Sequence, residues 1–247
     1  MVTLKELRWT PEMIRRFWDY VQTHPENYFS FQVGRVLTKK FSKYIKHAER
    51  VVDYGAGPGF LLDDLLHAGA QVGAVEFSPK SLAELDRKFH ATPGFLGARS
   101  PDALDGFLDS FDVAFLVEVV EHLYDDELAR CLSQVRSLLK PNGLLIVTTP
   151  NEEDRSKQFI LSPDSGLLFH RFQHVRSWSA ASLVATLETH GFRCVEANAT
   201  DFGASVHALR RTKSLPFRIA RSIAKHALPK KPQLYACLLY TSPSPRD

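Results

Sequence analysis

The chain has 247 residues, a formal net charge of +3, 44% apolar residues and 24% charged residues. These values are typical of a globular domain with a substantial core, and no apolar run reaches the roughly 18 residues of a transmembrane helix. Three widely spaced cysteines (Cys131, Cys194 and Cys237) exclude a disulfide framework and a CxxC metal clip, and the N-terminus has no signal-peptide pattern, so we expect a cytoplasmic protein.

The N-terminal segment, residues 1–48, is expected to be a helical cap. Apolar residues recur at steps of three and four and would share one helix face: Trp9, Met13, Phe17 and Tyr20. Thr10 followed by Pro11 is typical of a helix start, since threonine caps a helix and proline is tolerated in the first turn. A second helix is predicted over 30–46.

Strand and helix patterns alternate through the region that follows, which we assign to one domain over 49–236. Strands are predicted over 50–54, 71–76, 94–97, 111–117, 143–149 and 192–197, with another from about 234. Helices are predicted over 59–68, 79–89, 125–139 and 179–190, with a polar loop over 151–178. This alternation predicts an α/β fold of the Rossmann-like, doubly wound type: a mostly parallel sheet of about seven strands with helices on both faces.

The C-terminal region divides into a basic segment and a tail. Residues 202–231 contain no Asp or Glu, and a basic amphipathic helix is predicted over 214–228, inside an insertion at 210–231. The tail, 237–247, reads CLLYTSPSPRD and resembles translated vector sequence, so we expect it to be non-native. We expect the native sequence to differ after about residue 236.

The most informative stretch is VVDYGAGPG at 51–59. It predicts a strand that ends at Asp53, a glycine-rich turn and then a helix. Glycines let the backbone turn tightly and let a ligand approach closely, and the helix start favours a polar ligand. Glu76 ends the next predicted strand, and both acids fall where α/β sheets bind ligands. The pattern predicts a site for a nucleoside-bearing cofactor.

The glycine spacing G-x-G-x-G, with an acid two residues earlier, resembles motif I of the class I S-adenosylmethionine (SAM) methyltransferases. The resemblance implies that Asp53 holds the methionine amino group and that Glu76 accepts hydrogen bonds from the ribose hydroxyls. A similarly placed arginine in the ubiquinone-pathway O-methyltransferases implies that Arg35 contacts the SAM carboxylate. The remaining expected cofactor contacts are Gly55, Ala56, Gly57, Gly59, Phe77, Ser100 (with Asp102 as the alternative) and Val117.

The second motif is EVVEHL at 118–123, directly after the strand FDVAFLV. Two carboxylates and an imidazole, Glu118, Glu121 and His122, suit a divalent ion such as Mg²⁺ or Mn²⁺, with Co²⁺ and Zn²⁺ also open. The later loop FHRFQHVRSWS supplies His170 and His174.

The motif resembles both the ubiquinone-pathway O-methyltransferases and the small-RNA 3′-end 2′-O-methyltransferases, over roughly residues 28–196. In the RNA enzymes a histidine before a tryptophan completes the metal site. Aligning that tryptophan with Trp178 implies that His174 is the fourth ligand.

Two alternatives for these residues stay open. His122 and Glu118 are expected to be catalytic: both hold an ion that activates a substrate hydroxyl, or His122 acts as a metal-free general base while Glu118 serves only the cofactor pocket. Alternatively, Glu121 and His122 only cap the helix that begins near Asp125, and the loop histidines have no ligand role.

The resemblance implies SAM as cofactor and methyl transfer to a hydroxyl oxygen of a small or lipid-linked substrate. The helix over 214–228 would then lie on an anionic membrane surface, or alternatively pack as a lid with its basic side in solvent. RNA 3′-end methylation is the second hypothesis, and a non-catalytic SAM-binding protein is the third. DNA is not expected as a partner.

Overall fold

A computed structural model describes residues 4–202 and 233–240. The basic segment, the predicted helix over 214–228 and the insertion at 210–231 therefore lie outside the described residues. The helices are α1 Pro11–Val21, α2 Phe29–Lys40, α3 Ser42–Ile45, α4 Phe60–His67, α5 Pro79–Phe89, α6 Asp125–Leu138 and α7 Ala180–Thr189. The strands are β1 Arg50–Tyr54, β2 Gln71–Val75, β3 Phe95–Arg99, β4 Phe111–Val117, β5 Leu139–Pro150, β6 Phe159–Leu161, β7 Leu168–His170, β8 Phe192–Thr200 and β9 Gln233–Tyr240.

Seven of the described strands form one sheet in the order β3-β2-β1-β4-β5-β9-β8. Strands β1 to β5 pair in parallel, whereas β9 runs antiparallel to both β5 and β8. The predicted α/β class and the mostly parallel, Rossmann-like sheet are confirmed. Because β1 and β4 are neighbours, the segments after these two strands emerge side by side at one edge of the sheet.

Each face of the sheet has its own apolar core. One core packs residues from α2, α3, α4 and α5 against the sheet, with Leu37, Leu61, Leu65 and Leu85 fully buried. The other packs α6 and α7 against the opposite face. Burial of this kind stabilises by roughly 25 cal/mol per Å² of apolar surface, so the rigid sheet fixes the positions of the loops at its edge.

The N-terminal helices agree with the sequence in their start but differ in their contacts. The Oγ1 atom of Thr10 accepts a hydrogen bond from the Met13 main-chain N–H at 3.3 Å, as the N-cap prediction requires. The predicted apolar face was wrong in part, because Met13 and Tyr20 are exposed. The packed side of α1 includes Trp18 instead, because its indole N–H donates a hydrogen bond to the Gln173 side chain in a later loop.

The predicted helix over 30–46 was wrong in its continuity. It divides into α2 and α3 at Phe41, whose φ of −95° and ψ of 13° leave the helical region. Phe41 is buried in the core with Leu37 and Ile45, so burial of the phenylalanine ring accompanies the break.

Two further differences concern strands. Residues 141–143, between the helix predicted over 125–139 and the strand predicted over 143–149, lie inside β5. Pairing with β4 jumps there from Leu139 to Leu144, and Asn142 has a φ of 63°, so these residues turn within the strand. The predicted loop over 151–178 contains the β6–β7 hairpin. Strand β9 extends to Tyr240, which takes in the first four residues of the tail predicted to be non-native, and it ends before Pro243.

Within residues 4–202 and 233–240, no helix combines the length and the apolar character that crossing a bilayer requires.

Candidate active site

The glycine turn after β1 is bent by three glycines with left-handed backbone, at φ 82° (Gly55), 51° (Gly57) and 78° (Gly59). At Gly59 a Cβ atom would lie 2.6 Å from side-chain atoms of both Leu85 and Phe89. Glycine is therefore required there by close packing as well as by backbone conformation. The turn is fixed to β2 by Gly55, whose N–H donates to the Val75 carbonyl at 2.8 Å.

Glu76, just after β2, holds the turn from the other side. Its Oε2 accepts the Gly57 N–H at 2.8 Å, and its Oε1 accepts the N–H groups of Phe77 and Ser78, both at 2.9 Å. A carboxylate has about four acceptor positions, so about one remains for a ribose hydroxyl in this arrangement. Burial raises the pKa of Glu76, although the three N–H donors act in the opposite direction.

Asp53 lies at the carboxyl end of β1 and is only 3% exposed. Burial raises its pKa to about 7, and the charge of Glu76 adds to the rise. An ammonium group bound nearby would favour the ionised carboxylate. The position and the pKa of Asp53 thus suit recognition of a cationic amino group.

The other predicted cofactor residues lie at or just after the carboxyl ends of strands, except Arg35. Ala56 is buried within the glycine turn, Phe77 is 47% exposed directly after Glu76, and Ser100 follows β3. Val117 is the last residue of β4. Arg35 is exposed on α2, where its charge acts on Asp64 of α4.

Helix α1 and the segment after it cover the glycine turn, a feature that sequence reasoning missed. Tyr28 lies over Gly57, where an added Cβ would be 3.1 Å from the tyrosine ring. Trp18 packs against Tyr28 and, edge-on, against His122, with ring centroids 4.9 Å apart in the second contact. Asp19 accepts a hydrogen bond from the Ser78 hydroxyl at 2.9 Å. No local motif marks these residues, because their partners are distant in sequence.

The EVVEHL motif turns sharply after β4. Glu118 has a φ of 53°, an uncommon conformation for a residue other than glycine and one that recurs at functional sites. Two adjacent threonines of β5 hold the carboxylates by hydrogen bonds. The Thr148 hydroxyl donates to Glu118 at 2.9 Å, and the Thr149 hydroxyl donates to Glu121 at 2.9 Å. The turn also touches the glycine turn, since a Cβ on Gly55 would lie 2.7 Å from the Val119 side chain.

The helix-capping alternative for Glu121 and His122 does not hold. The main-chain N–H of Tyr124, which precedes α6, donates to the Glu127 side chain at 3.0 Å. Glu121 is instead turned inward, 1% exposed, and its Oε1 has no hydrogen-bond partner among the described residues. A buried carboxylate oxygen without a donor is costly unless a cation or a proton is supplied.

Both candidate ligand histidines direct Nδ1 away from Glu121. In His122 this nitrogen lies 3.4 Å from the Gln173 carbonyl, and in His174 it lies 2.5 Å from Oε2 of Glu153. A carbonyl oxygen only accepts, so Nδ1 of His122 carries the hydrogen and Nε2 keeps its lone pair. That Nε2 lies 3.8 Å from the unpartnered Oε1 of Glu121.

Glu121, His122 and His174 each offer a ligand atom, and these atoms lie within 4.8 Å of one another. The predicted set of Glu118, Glu121, His122 and His174 is thus brought together in three of its members, and Glu118 is near enough for its charge to act on Glu121. The donor chemistry and the unpartnered oxygen fit a divalent ion.

Burial dominates the protonation of this group. Burial raises the pKa of Glu118. Burial and the charge of Glu118 together raise the pKa of Glu121 well above its usual range. Burial lowers the pKa of His122 well below its usual value, with His174 adding to the effect, and it also lowers that of His174. The two imidazoles are therefore neutral near pH 7, the form in which histidine binds metals.

Two residues of the long loop join this group without having been predicted as ligands. Glu153 contacts both His170 and His174. These three side chains form a second group of possible metal-ligand atoms, which shares His174 with the first. Burial would raise the pKa of Glu153, but its contacts with the two histidines outweigh this effect and lower the pKa to about 2. His170 was noted as a loop histidine, whereas nothing in the local sequence distinguishes Glu153 from Glu152.

Known proteins resemble this chain in sequence and in fold. Residues 28–197 match the family model described as a methyltransferase domain. A ubiquinone biosynthesis O-methyltransferase of Bradyrhizobium diazoefficiens is 35% identical over 111 residues, which cover 43% of this chain and 42% of that protein. A small RNA 2′-O-methyltransferase of Arabidopsis thaliana is 33% identical over 135 residues, covering 47% of this chain and 14% of that protein. The chain thus spans less than half the length of these relatives.

Among solved structures, the 1,6-didemethyltoxoflavin-N1-methyltransferase of Burkholderia thailandensis, with bound S-adenosylhomocysteine, superposes with a TM-score of 0.59. The alignment covers 97% of this chain and 95% of that one at 17% identity, so it shows a shared fold. The match of the family model covers more than half of the chain and includes both the glycine turn and the EVVEHL motif. This chain belongs to the methyltransferase domain family.

Proposed function

We propose that the protein transfers a methyl group from SAM to a hydroxyl oxygen of a small or lipid-linked substrate, with a divalent ion beside the cofactor. The observation that carries the proposal is the contact between the two motifs, through Gly55 and Val119. This contact supports a cofactor and a cation site that share one edge of the sheet.

The glycine turn suits SAM because three left-handed glycines bend the backbone tightly between Asp53 and the start of α4. Asp53 would face the ammonium group, and Glu76 would offer its remaining acceptor position to the ribose. Tyr28 covers the turn at Gly57, and Trp18 packs against Tyr28. Holding donor and acceptor in line in this way supplies a large part of the rate enhancement in group transfer.

Glu121, His122 and His174 would hold the ion, with Glu118 next to them. When bound, a divalent ion lowers the pKa of a coordinated hydroxyl and orients it. Thr148 and Thr149 hold the two carboxylates, and the Gln173 carbonyl keeps the Nε2 lone pair of His122 directed at the site. In the metal-free alternative, that same Nε2 would accept the hydroxyl proton as a general base.

Oxygen as the acceptor atom is supported by the names of the two sequence relatives, both of which are O-methyltransferases. The Burkholderia neighbour methylates a nitrogen by its name, so the fold alone does not choose the atom. A pair of neutral imidazoles and two carboxylates favours a substrate with neighbouring hydroxyls, such as a catechol ring.

The acceptor is tested by incubating the protein with methyl-labelled SAM and three substrates: a soluble catechol, a prenylated catechol in detergent, and a short RNA with a free 3′ end. We expect label on the catechol oxygens and none on the RNA. Label on the RNA 2′-oxygen would support the RNA hypothesis, and tight SAM binding with no transfer would support a non-catalytic role.

Peripheral membrane contact through 214–228 has its own test. The full chain is sedimented with phosphatidylglycerol vesicles and with phosphatidylcholine vesicles, beside a variant with Arg218, Arg221 and Lys225 changed to Gln. We expect binding to the anionic vesicles alone and its loss in the variant. Equal sedimentation of both proteins would assign the segment to a lid.

A further inference from the structure

The group around His174 contains a half-buried carboxylate, that of Glu153, whose two oxygens each lie near a histidine. One oxygen of Glu153, Oε2, lies 2.5 Å from Nδ1 of His174, and the other, Oε1, lies 3.4 Å from Nε2 of His170. His170 is 1% exposed and His174 is 8% exposed. The rings of the two histidines are stacked, with centroids 4.4 Å apart. The two imidazole rings are therefore packed together out of solvent, with the Glu153 carboxylate beside them.

The main chain determines which nitrogen of His170 carries hydrogen. Its Nδ1 accepts the N–H of His174 at 3.1 Å and that of Phe172 at 3.3 Å. A neutral imidazole has one donor and one acceptor nitrogen, so Nε2 of His170 is the donor and faces Glu153. A protonated Nε2 has no lone pair for a metal, which removes His170 from the set of ligands.

The two oxygens of Glu153 face different rings. Oε2 is hydrogen-bonded to His174, whereas Oε1 lies near Nε2 of His170 without forming a hydrogen bond with it. Because Nδ1 of His174 lies against Oε2, the hydrogen of that ring sits on Nδ1. Its Nε2 is left with a lone pair, as in His122. An imidazole whose outer N–H is held by a carboxylate is a fixed and more basic ligand.

We propose that Glu153 is a positioning residue that fixes His174 as the Nδ1–H tautomer and directs its Nε2 toward Glu121 and His122. A role for Glu153 in cation binding rests on the proposed function. The tautomer of His174 does not, and it is tested on the metal-free protein.

The first measurement is the two-bond ¹⁵N–¹H correlation spectrum of the metal-free protein with ¹⁵N-labelled histidine. We expect His170 as the Nε2–H tautomer and His174 as the Nδ1–H tautomer. In Glu153→Gln the side-chain amide can either accept from Nδ1 of His174 or donate to it, so we expect His174 to populate both tautomers. His174 as the Nε2–H form in the wild type, or an unchanged tautomer in Glu153→Gln and Glu153→Ala, would overturn the proposal.

The second measurement is Mn²⁺ affinity by electron paramagnetic resonance. We expect Glu153→Gln to weaken binding by about 10–100-fold, the usual effect of removing a carboxylate behind a ligand histidine. Glu152→Gln is the matched control: it removes the same charge from the adjacent, exposed position and should retain wild-type affinity. Equal weakening in both variants would overturn the positioning role. Absence of Mn²⁺ binding in the wild type would instead contradict the metal-assisted function, while the spectrum still decides the tautomer.

Discussion

The indole ring of Trp18 lies edge-on against the imidazole of His122, with 4.9 Å between ring centroids. Its Nε1–H donates to the side chain of Gln173 at 3.1 Å, and the Gln173 amide in turn donates to the His122 carbonyl at 3.0 Å. The N-terminal helix is thereby connected to the EVVEHL turn through one buried glutamine. Helix α1 is for this reason part of the site as well as a cover over it.

Replacing Trp18 with Phe should separate ring packing from hydrogen bonding. The variant keeps an aromatic ring but removes the donor to the buried Gln173, and an unmade buried hydrogen bond costs about 1–3 kcal/mol. We expect a loss of unfolding free energy of that size by urea titration, together with weaker Mn²⁺ binding because the Gln173 carbonyl orients His122. Tyr20→Phe, on the exposed side of the same helix, should match the wild type. Wild-type stability in Trp18→Phe would show that the hydrogen bond to Gln173 does not stabilise the fold.

The pKa of Asp53 predicts a pH dependence of cofactor binding. With a pKa of about 7 in the free protein, Asp53 is mostly protonated at pH 6, and the SAM ammonium group favours the ionised form. Binding below pH 7 must therefore release a proton, so affinity should rise with pH, by as much as about tenfold per unit, and level off above 7.

Calorimetry from pH 5.5 to 7.5 measures this slope directly. Asp53→Asn should bind SAM more weakly and with a shallower slope, since the amide cannot release a proton. The same slope in both proteins would assign the titration to another group, with Glu76 as the nearest candidate.

Gly59 and Gly106 provide a matched pair, since both have a φ of 78°. An alanine costs about 1–2 kcal/mol at either position because of the left-handed backbone. At Gly59 the new Cβ also meets Leu85 and Phe89 at 2.6 Å, whereas at Gly106 nothing lies within 4 Å. We expect Gly59→Ala to be the less stable variant in urea and to lose SAM affinity. Equal stability of the two variants would show that Leu85 and Phe89 move aside at little cost.

The sequence was sufficient for the features that are local. The strand–turn–helix pattern at 51–59 and the EVVEHL run each depend on neighbours in the chain, and alternating strands and helices lead to one parallel sheet. The approach of His174 to Glu121 followed only from resemblance to known enzymes. Its physical basis, the N–H of Val175 donating to the Glu121 carbonyl at 2.9 Å, joins segments far apart in sequence.

What the sequence could not give depends on tertiary contacts. The helical period at α1 favoured Met13 and Tyr20, because hydrophobicity alone does not say which face meets a polar partner. Glu153 lies in a long polar loop, and its role appears only when the β6–β7 hairpin brings His170 beside it. Tyr28 precedes α2 with no motif, yet it covers Gly57.

Methyl transfer before and after chelation tests the central claim most directly: that the SAM turn and the Glu121, His122 and His174 group act together. The protein is treated with EDTA, and transfer of label from SAM to a catechol is measured with and without added Mn²⁺ or Mg²⁺. We expect transfer to fall at least tenfold on chelation, to return with one of these ions, and to stay low in Glu121→Gln. Transfer that is indifferent to EDTA and to Glu121→Gln would contradict the account and leave His122 to act alone as a base.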